Sequence, residues 1–118
     1  MDVPLNIAFH NMDVSEAVAA RVAERAGKLA RLYDRLVRCR VVIEASNRTN
    51  QMGKTYRVHI DLSVPGGNLV VDRAPGRADT DLYLILSNAF DAAARRLKEY
   101  KHYKARMRQP QDMAFATA

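Results

Sequence analysis

The side chains of this sequence that could do chemistry are cations at helical spacing. From Ala89 to Arg108 the chain reads "AFDAAARRLKEYKHYKARMR", seven bases against Asp91 and Glu99. A second segment holds Arg21, Arg25, Lys28, Arg31, Arg35, Arg38 and Arg40 against Glu24 and Asp34. Each is a local net charge of +5, whereas the rest of the chain has five bases against nine acids. The formal charge of +6 thus hides a nearly neutral or acidic body bearing two basic segments. Such clusters neutralise phosphates, and each contact releases counterions, giving strong but salt-sensitive affinity. Arginine, six of the seven bases in residues 21–40, also makes forked contacts with phosphate oxygens. Duplex or folded RNA is the partner this chemistry suits.

Other chemistries find little support. His10, His59 and His102 lie far apart, with no cysteine at metal-ligand spacing. Cys39 stands alone, fits a half-buried strand residue, and suits a reducing compartment. Asp79 and Asp81 flank a helix start, where capping accounts for them. Gly66 and Gly67 form a hairpin turn rather than a phosphate-cradling loop. Hence no enzyme, metal, cofactor or small-molecule substrate is expected. The sequence has neither a long apolar run nor a leader pattern, so a soluble cytoplasmic protein with no membrane partner is expected.

The 118 residues, 48% of them apolar, suffice for one folded domain. Leu5, Ile7 and Phe9 alternate as a short strand. Asp13 and Glu16 form a capping-box arrangement before a helix with a stripe of Val18, Val22, Ala26, Leu29, Tyr33 and Leu36. "CRVVIEA" is a strand, "SNRTNQMGKT" a loop, and "TYRVHIDLSV" a strictly alternating strand with one wet face. "PGG" turns the chain into "NLVVD", and "RAPGRADT" is another loop. Thr80 or Asp79 caps a second helix with a stripe of Leu82, Leu86, Ala89, Phe90, Ala93, Leu97 and Tyr100. The expected fold is an α+β two-layer sandwich, β-α-β-β-β-α, with two helices on one face of a four-stranded sheet. Residues 1–108 form the domain, and 109–118, lacking any period, form a flexible tail.

On a helical wheel, Arg21, Arg25, Lys28 and Arg35 flank the first stripe, and Arg31 and Arg38 extend toward solvent. In the second helix Arg95, Lys98, His102 and Arg106 lie opposite the core, with Arg96 and Lys101 to either side. Helices side by side on one sheet face could merge these flanks into one cationic surface. Two blander readings stay open: charges simply covering exposed helix faces, and cations complementing a helix C-terminus, which suits Lys101, Lys104 and Arg106. Tyr100 falls on the core stripe, and Tyr103 is the better candidate for stacking on a base.

The stretches "NMDVSEAVAARVAERAGKLARLYDRLVRCRVVIE", "YRVHIDLSVPGGNLVV" and "DLYLILSNAFDAAARRLKEYK" resemble the ribosome hibernation-promoting factors. That family is also called ribosome-associated inhibitor A, ribosomal subunit interface or sigma modulation proteins. The resemblance runs from about Leu5 to Tyr103, and its most specific parts are "VPGG", "ERAGKL" and Asp81-Leu82-Tyr83. It implies a β-α-β-β-β-α fold and a stress or stationary-phase factor. Such a factor binds ribosomal RNA in the messenger- and transfer-RNA channel of the small subunit and inhibits translation. It matches Arg25 and Lys28 with the family's first basic pair, and Arg95, Arg96, Lys98 and Lys101 with its second basic run. The wheel adds Arg21, Arg31, Arg35, His102 and Lys104. Leu84 and Ile85 depart from the family's Ala-Ile pair after the tyrosine. The resemblance further implies a short form, or the N-terminal part of a longer fusion, monomeric away from the ribosome.

A general double-stranded-RNA-binding domain shares the α-β-β-β-α order. It needs a Gly-Pro-x-His loop and a basic opening to its last helix, whereas this chain has "VPGG" and the acidic "DTDLYL". A small α+β enzyme, or an adaptor using the free sheet face, is a third reading, for which the sequence offers no nucleophile or acid–base pair.

Overall fold

The computed structural model describes residues 3–47, 54–74 and 81–117. Six elements follow in the expected order: β1 (Leu5–His10), α1 (Glu16–Leu32), β2 (Arg38–Asn47), β3 (Lys54–Val64), β4 (Gly67–Arg73) and α2 (Leu82–Thr117). The strands lie in sequence order in one mixed sheet. β1 runs parallel to β2 across the α1 crossover, and β2–β3 and β3–β4 are antiparallel.

Alternation decides which face is covered. Val41, Ile43, Val58, Ile60, Leu62 and Val71 are buried on one face. Against them pack Val18, Val22, Ala26 and Leu29 of α1 and Leu86, Ala89, Phe90, Ala93 and Leu97 of α2. The expected two-layer α+β sandwich is therefore the fold found. Cys39 is fully rather than half buried, and burial together with the nearby Asp61 carboxylate pushes its thiol up to about 12. A thiol so protonated is a core residue, not a nucleophile.

Helix termini depart from the sequence reading. The cap of α1 is Ser15 rather than Asp13: its hydroxyl accepts from the Val18 N–H at 3.2 Å. Both residue types cap well, so position alone decides. α1 ends at Leu32, and Tyr33 is an extended C-cap. Tyr33 and Leu36 are still buried, but Arg35 sits in the turn after the helix rather than on its flank. α2 is capped by Asp81, whose carboxylate accepts from Tyr83 N–H at 3.2 Å and whose carbonyl accepts from Ile85 N–H at 3.1 Å. The alternative caps Asp79 and Thr80, and residues 48–53 of the expected polar loop, lie outside the described residues. β2 and β3 each reach further into that loop than expected, pairing Asn47 with Lys54.

The 36 residues of α2 span about 54 Å. Among the described residues its last fully buried side chain is Leu97, and residues 101–107 are all exposed. The second half therefore projects beyond the sheet, and its backbone continues helical past the end of the apolar period to Thr117.

Tyr100 ties the projecting helix back to the body. Its hydroxyl donates to the Pro65 carbonyl in the β3–β4 turn, and its ring meets Tyr33 edge-on at 6.0 Å. Gly66 takes φ of 96°, and a Cβ there would lie 3.4 Å from the Tyr100 hydroxyl. The "PGG" turn thus needs glycine at Gly66 for its left-handed backbone. Tyr100→Phe should lower stability by about 1 kcal/mol through the lost bond. Gly66→Ala should lower it by about 1–2 kcal/mol through the left-handed backbone. Urea unfolding midpoints check both, and unchanged midpoints would show that the turn is not held in this way.

Candidate nucleic-acid interface

The two helices lie side by side, and their cross-contacts give their direction. Arg21 stacks over Tyr83 at 5.3 Å, Arg25 reaches Ser87 and Asp91, and Lys101 reaches Leu32. Advancing along α1 means advancing along α2, so the helices are parallel. The α2-facing flank of α1, which carries Arg21, Arg25 and Lys28, therefore borders the flank of α2 that carries Lys98 and Lys101.

Arg25 is the most constrained of these cations. Its guanidinium donates to the Asp91 carboxylate at 2.7 Å and to the Ser87 hydroxyl at 3.1 Å, and lies 5.7 Å from the Phe90 ring centroid. Its side chain is only 20% exposed. Arg25 thus clasps α1 to α2, and Asp91 already matches its charge. The sequence reading placed Arg25 among the binding cations without seeing Ser87 or Asp91 as its partners. Those partners are 62 and 66 residues away, and no local pattern announces them.

Other candidates combine a structural contact with exposure. Arg21 is 3.8 Å from Glu24. Lys101 donates to the Leu32 carbonyl at 3.3 Å, satisfying an orphan acceptor in the last turn of α1. On the other flank of α2, Arg96 donates to the Val70 carbonyl of β4 at 2.9 Å. Lys104 lies 5.9 Å above the Tyr100 ring. Lys28, Arg31, Arg35, Arg95, Lys98 and His102 are exposed, and among the described residues none joins an ion pair. The structure brings Arg21, Lys28, Lys98 and Lys101 to the line where the helices meet, with Arg95 and His102 on the solvent side of α2. Arg35 stays apart in its turn, and Arg96 faces the opposite flank. Tyr103 is 49% exposed, while Tyr100 is half-buried and committed to Pro65.

The uncovered face of the sheet has a different electrostatic character. Arg57 grips Asp72 through two bonds of 3.0 Å, His59 lies 3.7 Å from the same carboxylate, and Asn68 donates to Asp61 at 2.6 Å. Several charges answer one another there, although Arg38 and Arg40, exposed on the same face, join no ion pair among the described residues. Among the described residues no group of acids, histidines or cysteines could hold a metal ion, and no helix is long and apolar enough to cross a membrane.

The description "Sigma 54 modulation protein / S30EA ribosomal protein" fits residues 5–105. The chain belongs to this family. It is the one the sequence motifs resembled. Solved structures agree in fold. The N-terminal domain of Protein Y from Thermus thermophilus is 21% identical, with a TM-score of 0.61 over 85% of this chain and 99% of that one. A ribosomal subunit interface protein from Coxiella burnetii is 14% identical, with a TM-score of 0.66 over the same shares. A comparison with curated proteins gives no match.

The clasp is testable by a double-mutant cycle on Arg25→Ala and Asp91→Ala. Asp91 is 66% exposed, so solvent screens the pair, and the expected coupling is about 0.5–1 kcal/mol. A coupling of zero would make the contact incidental. On the open face, the bonds and charge of Arg57 hold the Asp72 carboxyl below its usual value, and His59 adds to this. A lowered folded value means that the contribution is complete above the unfolded value, near pH 3.9, and is lost as pH falls toward the folded one. Asp72→Asn should therefore flatten the acid limb of a stability–pH curve below about pH 4, and an unchanged limb would refute the pairing.

Proposed function

We propose that this protein is a ribosome hibernation factor of the bacterial cytoplasm. It binds ribosomal RNA of the small subunit in the channel used by messenger and transfer RNA, under stress or in stationary phase. It blocks translation by occupancy, not by catalysis, and is a monomer when free. The observation that carries this reading is the parallel pairing of α1 and α2, which puts Lys28, Lys98 and Lys101 along one line with Arg95 beside them. Family membership supplies the ribosome, and the unmatched cations supply the means of attachment. Forked arginines and flexible lysines suit irregular phosphate arrays, where positions are fixed by charge and sequence goes unread.

Sedimentation with small subunits across a salt series tests the reading. Wild type should pellet with subunits at low salt and be released as salt rises. Lys28→Glu with Arg95→Glu should weaken attachment by at least about tenfold and reduce the salt slope by about two. Asp91→Asn should strengthen it, because the Arg25 guanidinium becomes available and one negative charge is removed. Attachment indifferent to salt and to the double reversal would overturn the proposal. Equal affinity for any RNA duplex would favour a general duplex-binding domain instead.

A further inference from the structure

α2 has a second cationic flank, facing away from α1. β4 is an edge strand, and its alternation puts Leu69, Val71 and Arg73 on the helix-covered face, opposite Leu62, Ile60 and Val58. Leu69 and Val71 join the core. Arg73, at the strand's end, is exposed and lines a cleft between β4 and α2 together with Arg95 and Arg96. The cleft has a volume of about 150 Å³, several times what one water needs.

The guanidinia are partly oriented from below. Arg96 is held by the Val70 carbonyl at 2.9 Å and Arg73 by the Asp72 carbonyl at 3.0 Å. Each spends one of its five N–H groups in that contact and keeps others for a ligand. Two acids share the lining, Asp72 and Glu99. Both carboxylate oxygens of Asp72 are already taken by Arg57 at 3.0 Å. That leaves three guanidinia against Glu99, an arrangement suited to a tetrahedral oxyanion that accepts from several donors at once.

We infer that this cleft is a phosphate site for the RNA backbone, with Arg73 as a binding residue, so that α2 is gripped along both flanks. The inference rests on the RNA-binding reading above and deepens it. The two flanks lie about one helix diameter apart, roughly 10 Å. The phosphates they hold therefore belong to separate points of the RNA, and α2 acts as a ridge between them.

Arg73→Gln tests this, because the side chain is exposed and, among the described residues, its one hydrogen bond is with the neighbouring Asp72 carbonyl. In the salt-series sedimentation with small subunits, Arg73→Gln should lower affinity by about tenfold and the salt slope by about one. Amide spectra of the free protein titrated with inorganic phosphate should show shifts confined to 70–73 and 92–99 that Arg73→Gln abolishes. If wild type and Lys28→Gln behave as the RNA reading expects while Arg73→Gln matches wild type in affinity, slope and phosphate shifts, the cleft is not a phosphate site and the RNA reading stands. If wild type fails to attach to subunits at any salt, the RNA reading itself falls, and the phosphate shifts alone decide whether the cleft binds anions.

Discussion

The sheet offers a single apolar face, and two helices compete for it. Four strands about 4.8 Å apart make a surface of roughly 15–20 Å, and helices pack 8–10 Å from one another. Two helices cover that width only by lying against each other. Once Val18, Val22 and Leu29 face down from α1 and Leu86, Phe90 and Leu97 face down from α2, the long side chains at the seam can only rise to solvent. Arginine and lysine suit the seam because their stems cover apolar surface while their heads stay wet. The cationic surface is thus a by-product of how the core closes.

Crowding cations at a seam has a cost, since like charges repel. The structure offsets it locally. Asp91 sits across from Arg25 at 2.7 Å, and the rings of Tyr83 and Phe90 lie beneath Arg21 and Arg25 at 5.3 and 5.7 Å. Aromatic faces and one carboxylate stabilise the cations that hold the helices together. The remaining cations at the helix surface have no such partner among the described residues. A polyanion that settles on the helix layer relieves their repulsion, so assembly and binding draw on different members of one charge cluster.

Much of this was legible in the sequence because periodicity is local information. Val18 to Leu29 and Leu82 to Leu97 spell out their stripes, Tyr56 to Val64 spells out a half-buried strand, and element order follows. The wheel even placed Lys101 and Arg96 on opposite sides of α2, where one meets Leu32 and the other Val70. What it missed depends on distant partners or on chain ends. Arg25 reads as a free cation until Asp91 arrives from the other helix. Arg35 reads as helical because nothing local reveals that Tyr33 turns extended. Arg73 lies in an acid-leaning stretch, and only the pairing with Val58 turns it toward α2.

The two halves of α2 meet different physical demands. Up to Leu97 the helix is anchored on the sheet, so Arg95 and Arg96 are positioned before any ligand arrives, and little ordering entropy opposes their contacts. Beyond Tyr100, which locks to the Pro65 turn, Lys101, His102, Lys104 and Arg106 project with no core beneath them. A helix segment with clustered cations is weakened by mutual repulsion, and these cations lie too far from the helix end at Thr117 for its dipole to offset it. A bound phosphate would remove that repulsion. In the proposed complex the anchored half would set where the RNA backbone lies, and the projecting half would gain helical stability from the contact.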